Sequence, residues 1–139
     1  MIKLANLYEL GPSEDLIGQL YLWLAQRTPE QSISHKAMPP WTQHREFVLK
    51  KPYERWYLII EDDPAPAHMV GSIYLTKQQE VGIHIDNAER GKGYGSQALK
   101  LLREHIPGPL LANINPENER SIAFFVKHGA KLIQHTYTL

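Results

Sequence analysis

Arg90-Gly91-Lys92-Gly93-Tyr94-Gly95-Ser96 is the stretch whose residue types and spacing most clearly call for chemistry. Three glycines let the backbone turn tightly, so that successive N–H groups and the start of a helix can face one anion. Arg90 and Lys92 add positive charge beside it. A nucleotide P-loop would need Gly, four residues and then Gly-Lys-Ser/Thr, and no such run occurs. The dinucleotide fingerprint fails as well: Gly91-x-Gly93-x-x leads to Ser96, and the second strand lacks the acidic residue expected about twenty positions on. The residues alone leave an anion-binding turn or a plain connector.

The elements around that loop decide how it is presented. Residues 80–86 alternate strictly, placing Glu80, Gly82, His84 and Asp86 on one face of a strand and Val81, Ile83 and Ile85 on the other. Residues 96–106 carry Ala98, Leu99, Leu102 and Ile106 on one helical stripe, and Pro107-Gly108-Pro109 ends it. Upstream, Ile2, Leu4 and Leu7 open a strand, and Gly11-Pro12-Ser13 stops it and supplies a helix cap. Leu16, Ile17, Leu20, Tyr21 and Leu24 then recur at helical spacing to about Arg27. Residues 28–40, with Pro29, Pro39 and Pro40, read as a loop and as a lid or substrate wall. A short helix is expected over 42–50, then two antiparallel strands around 56–60 and 69–75. Residues 110–115 are expected as a strand, 117–128 as a helix capped by Gly129, and 131–139 as a last strand.

The bulk properties restrict the partners. At 139 residues the chain is expected to be one domain, 1–139, with no repeat or linker. Fifteen basic residues balance fifteen acidic ones, and no helix is basic, so no nucleic-acid partner is expected. No apolar run reaches the roughly eighteen residues of a membrane span. Without cysteine there is neither a disulfide nor a thiolate zinc cluster; no metal is expected, and the chain is read as cytoplasmic.

Arg90-x-x-Gly93-x-Gly95 after an alternating strand resembles the pyrophosphate signature of the GNAT superfamily of acetyl-CoA-dependent N-acetyltransferases. Residues 112–130, with Asn118, Ser121-Ile122, Phe125 and the exit Lys127-His128-Gly129-Ala130, are similar to that superfamily's second signature. The two motifs stand in the right order and cover residues 80–130. The resemblance implies an α/β (α+β) fold: a mixed, mostly antiparallel central sheet flanked by about four helices, its central strands splayed into a CoA cleft.

It also implies acetyl-CoA as cosubstrate and no metal. The backbone from Ile83 through His84 to Ile85 would pair with the pantetheine arm, and Gly91, Lys92, Gly93, Tyr94, Gly95 and Ser96 would hold the pyrophosphate. Asn118 stands where a side chain usually contacts pantetheine, and equally reads as a helix cap. Glu80 stands where several members carry a carboxylate base, and equally reads as a solvated strand end. His84 shares that face, as a base or as a half-buried imidazole.

Phe125 departs from the pattern, since many relatives carry there a tyrosine that protonates the leaving sulfur. Tyr137, Tyr94 and Ser121 are the hydroxyls that could replace it. The short stretch after Gly129 reduces the usual closing hairpin to one strand, so enclosure of the substrate is expected to draw on a homodimer partner.

The acceptor wall is expected from His35, Met38, Trp41, His44, Tyr53, Trp56 and Tyr57, with core packing as the other reading of Trp56 and Tyr57. The layout from Trp23 to Tyr57 is similar to that of GNAT enzymes acting on amino sugars attached to nucleotides. A small-molecule amine is therefore the expected acceptor. A protein N-terminus or lysine, and a non-catalytic acyl-CoA-binding module, are the alternatives.

Overall fold

The computed structural model describes residues 1–28, 31 and 37–139. Four strands form one antiparallel sheet in the order β1 (Ile2–Asn6), β2 (Arg55–Glu61), β3 (His68–Leu75) and β4 (Val81–Ile85). Leu7–Leu10 is a single helical turn, α1. The longer helices are α2 (Glu14–Ala25), α3 (Trp41–Leu49), α4 (Tyr94–His105) and α5 (Glu119–Lys127). Helix α2 begins where the sequence marks it: the Ser13 hydroxyl accepts from Leu16 N–H at 3.2 Å, with Glu14 and Asp15 in the positively polarised first turn.

Alternation along the strands supplies two cores, one on each face of the sheet. Tyr57, Ile59, Ile73, Leu75 and Val81 bury against Ala98, Leu99 and Leu102 of α4. On the opposite face Trp56 and Leu58 bury against Leu7, Ile17, Leu20, Trp23 and Val48, from α1, α2 and α3. A bulge between β2 and β3 pairs Ile59 with Gly71 but Ile60 with Met69. Val70, the extra residue, turns into the α4-side core while Met69 packs on the other face.

Two expected strands do not form. Residues 110–115 make one parallel bridge, Leu111 to Glu80, in which Val81 N–H donates to Leu111 C=O at 2.7 Å and Leu111 N–H to Gln79 C=O at 2.8 Å. Beyond it the chain leaves the sheet. The Asn113 amide donates instead to the Glu80 carboxylate, and Asn115 Oδ1 takes Glu117 N–H in a turn, so asparagine side chains replace the ladder. That turn also delays α5 to Glu119. Residues 131–139 carry no regular structure and are exposed throughout.

The divergence at Leu111 is what splays the sheet. Along β4, Val81 N–H points away from β3 and Asp86 N–H points to it, donating to Val70 C=O at 2.8 Å. By alternation, the N–H and C=O of Ile83 and Ile85 face the open edge.

Candidate active site

At one end of this open edge sits the glycine loop. A 3-10 turn, Asn87–Glu89, leads from β4 into Arg90, and Gly91 and Gly93 adopt φ of +80° and +82°. Gly93 caps α4 in the left-handed region, where a β-branched side chain would be strained. It starts the helix at Tyr94, two residues before the glycine spacing suggests. Gln97 N–H returns to Gly93 C=O, leaving the N–H groups of Tyr94, Gly95 and Ser96 at the mouth of the helix without an intrahelical acceptor.

The charge beside them differs from expectation. Lys92 Nζ is held by Glu89 at 2.8 Å, which raises its pKa and neutralises it locally. Arg90 stays available: its Nε reaches Ile85 C=O at 3.4 Å, and burial, followed by the nearby Arg120 guanidinium, lowers its pKa. Arg120, on the first turn of α5, is thus a second cation that the motif did not reveal. The arrangement can hold an anion on three backbone donors flanked by two guanidinium groups.

The loop is steadied from below. Phe124 lies under Gly95, 3.5 Å from where a Cβ would sit, and packs edge-to-face on Phe125. Ser96 Oγ contacts His128 Nε2 at 2.9 Å. Between α4 and the end of α5 a shallow cavity of about 490 Å³ is lined in part by Ser96, Lys100, Arg103 and His128.

At the other end of β4 stands Glu80. Its carboxylate accepts from the Thr76 hydroxyl at 3.3 Å and from the Asn113 amide, so both oxygens are oriented where residues 79–81 meet Leu111. Between the two ends, Gly82 leaves room for the Tyr74 ring, which would lie 2.0 Å from a Cβ there. Tyr74 in turn stacks on Tyr53, with centroids 3.9 Å apart and an interplanar angle of 7°.

His84 is fixed by residues that no motif announced. Gln26 Oε1 lies 3.1 Å from His84 Nε2 and also accepts from Asn87 N–H, so Nε2 carries the hydrogen and Nδ1 is left as the acceptor. Burial, then the charges of Arg27 and Arg90, push the imidazole down to about 4. At neutral pH the ring is uncharged. Asp86 ties this group together, accepting from Trp23 Nε1 at 3.1 Å, Gln26 Nε2 at 3.4 Å and Ala88 N–H at 3.1 Å. Those bonds, the Trp23 one foremost, hold its carboxyl below the usual range.

Several expected site residues are not brought together. Trp56 and Tyr57 bury in opposite cores, so they cannot line one wall; the Trp56 indole lies among Phe47, Tyr53 and Tyr74. Trp41 packs edge-on against Tyr21 at 5.3 Å, at the rim of the same core. His35 lies outside the described residues. Asn118 caps α5, accepting from Ser121 N–H at 3.1 Å. Tyr94 packs against the α4-side core beside Glu61. Tyr137 is 80 % exposed and stands on no strand. No group of metal-ligating side chains occurs among the described residues.

A four-stranded sheet whose last strand splays from its neighbour above an anion-binding helix start defines an acyl-CoA-dependent acetyltransferase fold. The chain belongs to the GNAT acetyltransferase family, whose domain it matches over residues 7–131. Its cosubstrate is acetyl-CoA, and it transfers an acetyl group.

Solved structures share the fold at low identity. A domain from Methanocaldococcus jannaschii is 20 % identical, with TM-score 0.77 over 98 % of this chain and 92 % of that one. An N-acetyltransferase from Staphylococcus aureus is 19 % identical, with TM-score 0.62 over 93 % and 81 %. An acetyltransferase from Trypanosoma brucei is 14 % identical, with TM-score 0.63 over 100 % and 99 %. No curated protein matches the sequence. Among the described residues no helix is long and apolar enough to cross a membrane.

Proposed function

We propose that this domain is an N-acetyltransferase that moves the acetyl group of acetyl-CoA to a primary amine of a small molecule, with Glu80 as general base. The observation that carries this reading is the layout along β4: the anion-binding loop at one end, the open edge at Ile83 between, and an oriented carboxylate at the other. In this reading the pyrophosphate sits on the N–H groups of residues 94–96 beside Arg90 and Arg120. The pantetheine arm pairs with Ile83 like an added strand, and the cavity along Lys100 and Arg103 offers room for the remaining anionic part.

The amine attacks the thioester carbonyl, Glu80 takes its proton directly or through water, and the CoA thiolate leaves as the amide forms. Phe125 can donate no proton, so the sulfur departs as thiolate. His84, whose ring is neutral and whose Nε2–H is engaged by Gln26, serves this reading better as a wall of the site than as the base.

For the acceptor we favour an amino sugar attached to a nucleotide. The stacked Tyr53 and Tyr74 rings offer a platform for a ring system, and Arg27, whose charge bears on both Tyr53 and His84, suits an anionic group beside it. A cytoplasmic homodimer fits this reading, because α5 buries no residue in the single chain.

The test pairs binding with turnover. Acetyl-CoA at about 100 times its dissociation constant is expected to stabilise the protein by about 2.7 kcal/mol, read as a rise in melting temperature; no rise removes the CoA site. Thiol release with a panel of nucleotide-linked amino sugars, polyamines and peptides identifies the acceptor. Glu80→Gln is expected to lower kcat by at least about 100-fold, and an unchanged pH–rate profile removes Glu80 as the base.

A further inference from the structure

Gln26 stands where α2 ends, its backbone N–H bonded back to Trp23 C=O at 3.1 Å, and its side chain crosses to the end of β4. The amide there fits one way round. Asn87 N–H donates to Oε1 at 3.0 Å, and Nε2 donates to Asp86 Oδ1 at 3.4 Å. A backbone N–H only donates and an ionised carboxylate only accepts, so oxygen and nitrogen cannot exchange places. Asp86 is itself held, by Trp23 Nε1–H on Oδ2 and Ala88 N–H on Oδ1, each at 3.1 Å.

His84 receives the result of this chain of bonds. Its Nε2 lies 3.1 Å from Gln26 Oε1, an atom that only accepts, so Nε2 carries the hydrogen and Nδ1 keeps its lone pair. Nδ1 has no hydrogen-bond partner among the described residues. Nor is it sealed in: among those residues the buried side-chain nitrogen left without a partner is Trp56 Nε1.

Position decides what meets that lone pair. Gly82 and His84 share the α2-side face of β4, where the Tyr74 ring covers Gly82 and Trp23 lies 6.2 Å from the His84 ring. Glu80 precedes them at the same spacing. Four residues separate Glu80 from His84, about 13 Å along the strand, so a molecule whose amine is served by Glu80 brings a remote group to His84. Charge decides the kind of group. Arg27 and Arg90 both bear on the ring, and the opposing Asp86 is already engaged by three N–H donors. A second ammonium is repelled there, whereas a hydroxyl donates without carrying charge.

We infer that His84 Nδ1 accepts a hydrogen bond from a hydroxyl of the acceptor molecule, remote from its reacting amine, and that Gln26 is the positioning residue that keeps Nδ1 an acceptor. The inference rests on the small-molecule N-acetyltransferase reading and deepens it. His84 then selects among amines: a hydroxylated one is preferred to an alkylamine or a polyamine of the same length.

The first arm of the test needs no acceptor. In the 15N-labelled protein at neutral pH, nuclear magnetic resonance is expected to show His84 protonated at Nε2 and bare at Nδ1. Gln26→Met, which keeps the length of the side chain and removes the oxygen, is expected to give a mixture of both tautomers. A proton on Nδ1 in the unaltered protein overturns the proposal, and an unmixed Nε2–H form in Gln26→Met overturns the role of Gln26.

The second arm reads selection. Thiol release from acetyl-CoA is measured with linear primary amines of roughly five to nine carbons, lengths that suit this span, each ending in a hydroxyl, a methyl or a second ammonium. At one length or more the hydroxyl form is expected to exceed both others in kcat/KM by at least about 10-fold. His84→Phe keeps a ring without the acceptor and is expected to lose the preference; His84→Asn, whose Oδ1 replaces Nδ1, is expected to retain it. Acetyl-CoA is expected to raise the melting temperature of both variants, which separates lost selection from a lost fold. Turnover without a hydroxyl preference, or a preference that survives in His84→Phe, overturns this inference alone. No turnover of any amine overturns the transferase reading and the inference together.

Discussion

Helices α4 and α5 are two walls of the candidate anion site, and both are amphipathic, yet only one is seated. Helix α4 buries Ala98, Leu99 and Leu102 against the sheet, whereas α5 buries nothing completely and only rests Phe124 and Phe125 on the α4-side core. Both have defined starts, Gly93 for α4 and the Asn118 side chain for α5. Capping therefore fixes where a helix begins, and packing decides how firmly it stays. The seated wall carries the backbone donors, which need rigid placement. The unseated wall carries Arg120, the cation beside Arg90.

The largest expected difference between the walls is in stability. Leu102→Ala is expected to cost about 3 kcal/mol, from lost burial and the cavity left behind. Ile122→Ala, on an exposed stripe, is expected to cost less than about 0.5 kcal/mol in urea unfolding. Equal costs would mean that α5 is as firmly packed as α4.

Next comes the glycine loop at the start of the seated wall. Gly93→Val forces a β-branched residue to φ +82° and is expected to weaken acetyl-CoA binding by at least about 30-fold in calorimetry, with the far-UV circular dichroism unchanged. Retained affinity would reduce the loop to a connector.

The smallest effect belongs to the strand both walls share. The unfolded chain binds a proton at His84 below its ordinary pKa near 6.5, and the folded chain declines it until about pH 4. Stability is therefore expected to fall as pH drops through that window, and to be indifferent to this residue above it. His84→Gln is expected to flatten the fall by about 2 kcal/mol; identical pH profiles for the two proteins would show that the ring is not desolvated.

What was legible in the sequence was whatever depends on neighbours along the chain. Ser13 before Glu14 and Asp15 marked α2, strict alternation marked both faces of β4, and three glycines after a strand marked the loop. Residues 110–115 and 131–139 have strand-like composition, but strand formation also needs a partner edge. Composition contains no such term.

The same limit applies within the site. Adjacent aromatic residues, Trp56 and Tyr57, looked like one wall, although neighbours on a strand face opposite ways. The Gln26 and Trp23 bonds to Asp86 join residues about sixty positions apart and left no local trace. Arg120 supplies the charge that Lys92, held by Glu89, does not, and only folding brings it beside Arg90.

Asp86 has a mechanical consequence. One carboxylate accepts from α2 through Trp23 and Gln26 and from the turn that launches the glycine loop through Ala88. A tilt of α2 must therefore pull on the turn that precedes the glycine loop. Helix and turn share a single pivot, and strain applied at either one is felt at the other.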